Sequence, residues 1–369
     1  MSPEETLLCA VLRGEAPPWP ATDAAFAARF LAASGQHGTQ PLSYYLLSPT
    51  PAWETWPTEV RKTLQRQTWR QSAWETLARE ETARVLAALA MHGVQAVLMK
   101  GAPLAYSHYP KPFLRPHGDT DLLLRREDMS AAQTVLSDLG YVSPLAVSGD
   151  WVSYQRLFSR TVSAKFIHTL DVHWRLSNGE LFAQTLDYPQ LLDQSVPAPA
   201  FGSQARALGS THALLLACMH RADHFTQGHA ERLLWLYDIH LLVTRMNGEQ
   251  LTEFARLARQ KQMAGVCLDG LRAAERRLDT PLPDELTAAL AAPGPKEPSA
   301  RLLTVGPLAS LWLHFKALPG WRSKLRFLHE LGFPPADYMQ AKYGAATRYG
   351  LPVLYIRRAA EGFQKRWRC

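Results

Sequence analysis

The spacing of apolar and polar positions divides the chain into helix, then sheet, then helix again. Residues 1–50 hold short helical patterns, such as Ala24 to Ala33, interrupted by Pro17, Pro18, Pro20 and the loop Gly35–Gly38. From Pro57 to about Met91, Gly and Pro are almost absent. Leu64, Trp69, Ala73, Leu77, Val85, Leu86 and Leu89 recur there between charges. That periodicity predicts one long amphipathic helix, stopped by His92-Gly93. Gln95 to Met99 reads as a buried strand, and Ala102 to His108 as a short helix beginning at Gly101. The proline-studded loop Tyr109–Gly118 feeds a strand over Asp119–Leu124, and Glu127 to Gly140 reads as a helix. Trp151–Ser159 and Lys165–Trp174 form a hairpin around Thr161–Ala164, with Leu170 and Val172 on one face and Asp171 and His173 on the other.

After Pro189 the pattern becomes helical and stays so. Thr211–Thr226 and His229–Met246 read as two packed helices joined at Gly228, and Leu251–Leu278 as another helical stretch. Pro293-Gly-Pro-Lys-Glu-Pro298 is the clearest linker. A last helical segment is broken at Gly332-Phe-Pro-Pro335. The reading is an α+β protein with a small mixed sheet of about four strands within residues 94–176. Four parts follow: an N-terminal helical region (1–92), the sheet core (93–200), a helical domain (201–292), and a linker with a basic C-terminal helical segment (293–369).

Composition narrows the class. At 369 residues, 47% hydrophobic and 20% charged, the chain is globular and large enough for a substantial core. No apolar run approaches the roughly 20 residues that span a bilayer. The acidic start Met1-Ser-Pro-Glu-Glu5 lacks the basic region of a secretory signal. Cys9, Cys218, Cys267 and Cys369 form no CxxC pair, so reduced thiols in a cytoplasmic protein are expected. The net charge of +7 is uneven: residues 321–369 hold ten Lys/Arg against three Asp/Glu, and the remainder is neutral. Tyr343, Tyr349, Tyr355, Phe363 and Trp367 alternate there with Arg348, Arg357, Arg358, Lys365, Arg366 and Arg368. That segment either binds a weak anionic partner (RNA, an acidic protein or an anionic membrane surface) or is a terminal amphipathic helix with its charges in water.

The chemistry concentrates between Val97 and Trp174. On a strand, Asp119 and Asp121 project from the same face. Adjacent carboxylates repel unless a cation joins them, and Mg²⁺ is the hard ion that prefers oxygen ligands. Asp171 on a neighbouring strand supplies a third carboxylate. Such a set holds two metal ions about 3.5–4 Å apart and accepts the proton of an attacking hydroxyl. Lys100-Gly101, at a strand-to-helix turn, suits a phosphate: the glycine admits it and the lysine adds a point charge. Arg115 either contacts a phosphate or pairs with a carboxylate. His173 either orients Asp171, touches a nucleotide, or is a half-buried histidine satisfied by backbone. His220 and His224 have the i, i+4 spacing of a zinc pair but lack the catalytic glutamate between them. They either face the site with Asp238 or form a polar network between helices. Trp235 and Tyr237 fit the core better than a base-stacking role.

Met99-Lys100-Gly101, Arg115 ahead of Asp119-Thr-Asp121, and Leu170-Asp-Val-His-Trp174 together resemble the bacterial uncharacterised nucleotidyltransferase family of the DNA polymerase β-like superfamily. Leu216-Ala-Cys-Met-His220 with His224, Arg232-Leu-Leu-Trp-Leu-Tyr-Asp238, Gly332-Phe-Pro-Pro335 and Leu351–Arg357 extend the likeness over most of residues 58–360. The resemblance implies a nucleotidyltransferase-fold sheet, with Asp119 and Asp121 as shared Mg²⁺ ligands and Asp171 as the third carboxylate. It also implies a nucleoside triphosphate donor such as ATP. Lys100, Gly101, Arg115, His173, His220, His224 and Asp238 are then candidates for the nucleotide, and Mn²⁺ is the substitute ion. In the broader superfamily the glycine turn lies closer to the aspartates than here. The likeness names no acceptor, so small molecule, peptide, protein and RNA stay open. The expected reaction moves NMP from NTP to a hydroxyl with release of pyrophosphate. The rivals are a kinase-like phosphotransferase at the same site, a non-catalytic nucleotide-binding scaffold, and a phosphohydrolase built on His220, Asp223, His224 and Asp238.

Overall fold

The computed structural model describes residues 1–20, 23, 25–144, 151–226, 231–292, 297–343 and 350–367. Gly228, residues 293–296 of the linker, and Arg348, Tyr349 and Arg368 of the basic segment lie outside the described residues. So do the side chains of Phe363, Lys365, Arg366 and Trp367. The N-terminal helices are α1 (Pro3–Leu12), α2 (Phe26–His37), α3 (Gln40–Leu47) and α4 (Thr58–Met91). The 34-residue α4 is roughly 50 Å long at 1.5 Å per residue, and it ends where Gly93 turns to φ +74°. Strand β1 (Val97–Met99), α5 (Gly101–Ser107), β2 (Thr120–Leu123) and α6 (Met129–Asp138) follow. Next come the hairpin β3 (Gln155–Ser163) and β4 (Phe166–His173), the short helices α7 (Glu180–Ala183) and α8 (Tyr188–Asp193), and strands β5 (Val196–Pro197) and β6 (Arg206–Ala207). The remaining helices are α9 (Ser210–Thr226), α10 (Leu233–Arg245), α11 (Gly248–Gln260), α12 (Ala264–Leu278), α13 (Asp284–Ala291), α14 (Pro307–Ala317), α15 (Gly320–Gly332), α16 (Ala336–Tyr343) and α17 (Leu351–Trp367).

The α+β reading stands, with three corrections. The sheet has six strands rather than about four, in the order β3-β4-β2-β1-β6-β5. Residues after Pro189 are not all helical, because β5 and β6 extend the sheet beyond β1. The stretch from Leu251 to Leu278 is two helices, parted at Lys261–Met263 where Gln262 adopts φ +55°.

The sheet is mixed. Strand β2 runs parallel to β4 and antiparallel to β1, while β1 runs parallel to β6. Alternation along each strand sends side chains to two different cores. Leu98, Leu122, Leu170 and Val172 pack with Val85, Leu86 and Leu89 of α4 and Val135 and Leu136 of α6. Val97, Met99 and Leu123 face the other way, into a larger core that takes in α1–α3 and α9–α12. Asp121, Asp171 and His173 share the parity of that second face. The aspartates therefore look across at helices α9 and α10, and a cleft of about 1570 Å³ lies between them.

Candidate active site

Strand register assembles the carboxylates. In the parallel β2–β4 pair Asp121 stands directly beside Asp171, and Leu123 beside His173. The His173 Nε2 lies 3.0 Å from Asp121 Oδ1 and 4.0 Å from Asp171 Oδ2. Ligating atoms of Asp121, Asp171 and His173 fall within 4.8 Å of one another. Asp119 lines the same cleft, half-buried, but sits in a bend before β2 rather than on the strand. The expected strand start at Asp119 is thus one residue early, and His173 completes the tight cluster in place of Asp119.

Charge is unevenly balanced within this group. Lys100 Nζ lies 2.5 Å from Asp121 Oδ1. Burial works against ionising Asp121, but Lys100 and His173 outweigh it and hold the carboxyl far below its usual range. Burial also opposes the charged form of Lys100, yet Asp121, Asp119 and Asp171 raise its pKa on balance. Asp119 is pushed up by burial and by the charge of Asp121. Asp171 is raised by burial, with His173 opposing and Asp121 and Asp119 adding to the rise. Gln155 Nε2 donates to Asp171 Oδ2 at 2.9 Å, whereas Asp171 Oδ1 is buried with no hydrogen-bond partner. A buried anionic oxygen left in that state is costly unless a cation or proton reaches it. Two carboxylates and an imidazole converging on one point, with Asp119 at the rim, fit a divalent cation.

Lys100 sits at a strained turn. Its backbone adopts φ +54°, ψ −124°, a combination that costs a side-chain-bearing residue about 1–3 kcal/mol and gathers at functional sites. That conformation turns the chain from β1 into α5 and aims the side chain along the sheet face at Asp121. Gly101 has a specific reason to be glycine. A Cβ there would collide with the Arg115 guanidinium and come within 3.1 Å of His117 Cβ.

Arg115 and Asp238, both expected at the nucleotide, satisfy each other. Arg115 Nη2 lies 2.6 Å from Asp238 Oδ2, its Nε donates to Oδ1 at 3.2 Å, and Tyr109 Oη donates to Oδ1 at 2.7 Å. All three residues are buried. The pair ties the loop before β2 to α10 and closes the floor of the cleft.

His220 and His224 project from α9 into the cleft, with their Nε2 atoms 3.1 Å apart. The His224 ring stacks on Trp235 at 4.6 Å, and His220 meets Trp235 edge-on at 5.0 Å. Burial, with Lys100 and His224 nearby, holds His220 well below its ordinary pKa, so it is neutral at pH 7. The cleft brings all ten candidate residues together.

Several contributors carried no signal of their own. Gln155 could be found only by counting hairpin register, which sets it opposite His173 and diagonal to Asp171. His117 Nδ1 donates to the Asp119 carbonyl at 2.9 Å, and its Nε2 lies 3.0 Å from the buried Glu75 carboxylate on α4. Asp223, on the α9 turn between the two histidines, accepts a hydrogen bond from Ser177.

A comparison with protein families gives a match over most of the chain. The family described as uncharacterised nucleotidyltransferase matches residues 24–279, which run from the N-terminal helices through the sheet to α12. No curated protein matches the chain.

Proposed function

Because the chain belongs to the uncharacterised nucleotidyltransferase family, we propose that its cleft moves a nucleoside monophosphate from a triphosphate such as ATP to a hydroxyl acceptor. Pyrophosphate is the leaving group. The observation that best supports this reading is the parallel register of Asp121 and Asp171, which brings both carboxylates and His173 within 4.8 Å of one another while Asp171 Oδ1 is buried without a hydrogen-bond partner. In this reading Asp119, Asp121 and Asp171 hold Mg²⁺ or Mn²⁺, which when bound neutralises charge on the reacting phosphate oxygens.

The protein's own groups do the remaining work. Asp171 accepts the proton of the attacking hydroxyl at Oδ1. His173 fixes the direction of the Asp121 carboxylate through their 3.0 Å contact, and Gln155 does the same for Asp171. Lys100 balances Asp121 and lies close enough to share its charge with an incoming phosphate. Arg115 and Asp238 act as a buried strut under Gly101 rather than as phosphate contacts. His220, His224 and Trp235 offer flat ring surfaces on the opposite wall, suited to the nucleotide or the acceptor. The buried, unpaired thiols of Cys9, Cys218 and Cys267 agree with a cytoplasmic setting.

The test is transfer of label from α-labelled ATP to fractionated cell extract, by the wild type and by a variant carrying Asp119→Ala and Asp121→Ala. Label on a product with the wild type alone supports the reading. Undiminished transfer by the double variant overturns it, and γ-label on the product in place of α-label would make the enzyme a phosphotransferase.

A further inference from the structure

Helix α15 turns a buried carboxylate inward, beside Phe327 and Leu331 that line the cleft, and an apolar stripe outward. The face it turns to the protein carries a carboxylate: Glu330 is buried and accepts the backbone N–H groups of Trp151 at 2.9 Å and Val152 at 3.2 Å. The face it turns outward carries Trp321, Leu325 and Leu328, which are 67%, 56% and 49% exposed. These positions, i, i+4 and i+7, form one stripe along a helix. A surface helix ordinarily turns such a stripe to the core.

The exposed apolar surface continues beyond α15. Leu328 shares a shallow hollow of about 410 Å³ with Leu311, Trp312 and Phe315 of α14 and Phe327 and Leu331 of α15. Trp312 itself is exposed. At the other end, exposed Phe333 packs on Tyr355 of α17 at 5.5 Å, and Val353 and Ile356 of α17 are exposed as well. Among the described residues, seven of the sixteen large exposed hydrophobics fall between Trp312 and Ile356. Monomeric proteins rarely leave contiguous apolar surface of this kind without a partner.

Charge identifies that partner. Arg322, Lys324, Arg326, Arg357 and Arg358 lie among these apolar groups, and residues 321–369 carry the whole net charge of +7. Arg326 pairs with the inward-turned Glu330 at 3.2 Å and Arg357 with Glu361 at 3.1 Å, so Arg322, Lys324 and Arg358 carry the positive charge of this face. No helix among the described residues is long and apolar enough to cross a membrane. Tryptophan and leucine interleaved with arginine and lysine on short helices match the headgroup layer of an anionic bilayer. Hot spots of protein interfaces sit in well-packed pockets, whereas the hollow beside Leu328 is shallow. We propose that α14, α15 and α17 form a docking face for an anionic membrane surface, with the α15 stripe lying in the headgroup layer. Trp151, Val152, Leu311, Phe327 and Leu331 also line the cleft, so a docked bilayer sits beside the site.

Co-sedimentation with vesicles tests this independently of any nucleotide chemistry. Wild type is expected to sediment with vesicles of phosphatidylcholine and phosphatidylglycerol in equal parts, to be released by salt, and to leave pure phosphatidylcholine largely unbound. Trp321→Ser with Leu325→Ser should weaken binding about tenfold, and Leu325→Glu alone serves as a second variant. Arg322→Gln with Lys324→Gln should erase the preference for anionic lipid. All of these substitutions are at solvent-facing or rim positions, so thermal unfolding should match wild type. The proposal is overturned if wild type ignores anionic vesicles at low salt, or if the substitutions leave binding unchanged. It is also overturned if Trp321→Ser with Leu325→Ser instead dissociates a dimer in ultracentrifugation, which would make the face a contact between copies of the chain.

Discussion

On the sheet wall of the cleft, like charges stand next to one another. On the helical wall and floor, most charges have a matched partner. Asp121 and Asp171 stand side by side on one face of β2 and β4, with Asp119 in the bend just before β2, Lys100 and His173 drawn in against Asp121, and one oxygen of Asp171 without a hydrogen-bond partner. Across the cleft, Arg115 is forked onto Asp238, and away from the cleft lining Arg221 of α9 pairs with Glu231 and Asp269. The difference teaches that the two walls respond to substitution in opposite ways. Asp171→Asn keeps a hydrogen bond to Gln155 and removes a buried negative charge. It is expected to lower turnover by about 10²–10³-fold, the scale for one preorganised electrostatic group, while leaving urea stability equal to wild type or higher. An Asp171→Asn protein that is less stable but fully active would break the comparison.

Arg115→Ala probes the opposite case. It leaves Asp238 buried without its cation, so unfolding should become easier by about 3–5 kcal/mol in urea titrations. Arg115→Met combined with Asp238→Leu should lose less, because neither charge is then stranded. Tyr109 would lose its acceptor in that double variant, at a cost of about 1–3 kcal/mol. If the double variant is as unstable as Arg115→Ala, packing rather than charge pairing carries the strut.

The same contrast sorts what the sequence revealed. The carboxylate-bearing strands were legible because Leu-Asp-Val-His-Trp expresses the two-residue period of a strand and the leucine run after Asp-Thr-Asp reads as a short buried strand. Strands β5 and β6 have two residues each and are too short to show any period. The break between α11 and α12 has no Gly or Pro, only the polar run Arg259-Gln-Lys-Gln262, so periodicity carried through it. Asp119 falls outside β2 because His117 and Glu75 pin the preceding loop, a contact between residues 42 positions apart. Arg115 and Asp238 were visible as charged residues, but their pairing across 123 positions was not. Partners distant in sequence leave no local pattern.

Gly101 separates the two walls at their meeting point. Gly101→Ala places a methyl group against the Arg115 guanidinium and His117 Cβ, so overpacking should cost about 1–3 kcal/mol in thermal or urea unfolding. If the glycine instead serves only to admit a phosphate, stability will be unchanged and KM for the triphosphate alone will rise.

The smallest effect concerns Asp223, a carboxyl on the helical wall. Asp223 lies beside Ser177 with burial pushing its pKa up to about 6 from the usual 3.8, against opposing contributions from Ser177 and Lys100. A carboxyl raised in the native state binds its proton more tightly when folded. Its contribution to stability therefore declines as pH climbs from about 4 to about 6, and the loss persists at neutral pH. Asp223→Asn can still accept from Ser177 but has no charge to desolvate. Urea unfolding should show the variant and wild type alike near pH 4, with the variant more stable by about 1–2 kcal/mol near pH 7 after allowance for partial exposure. A gap that does not change with pH would mean that Asp223 is already compensated, and that the helical wall carries no unbalanced acid.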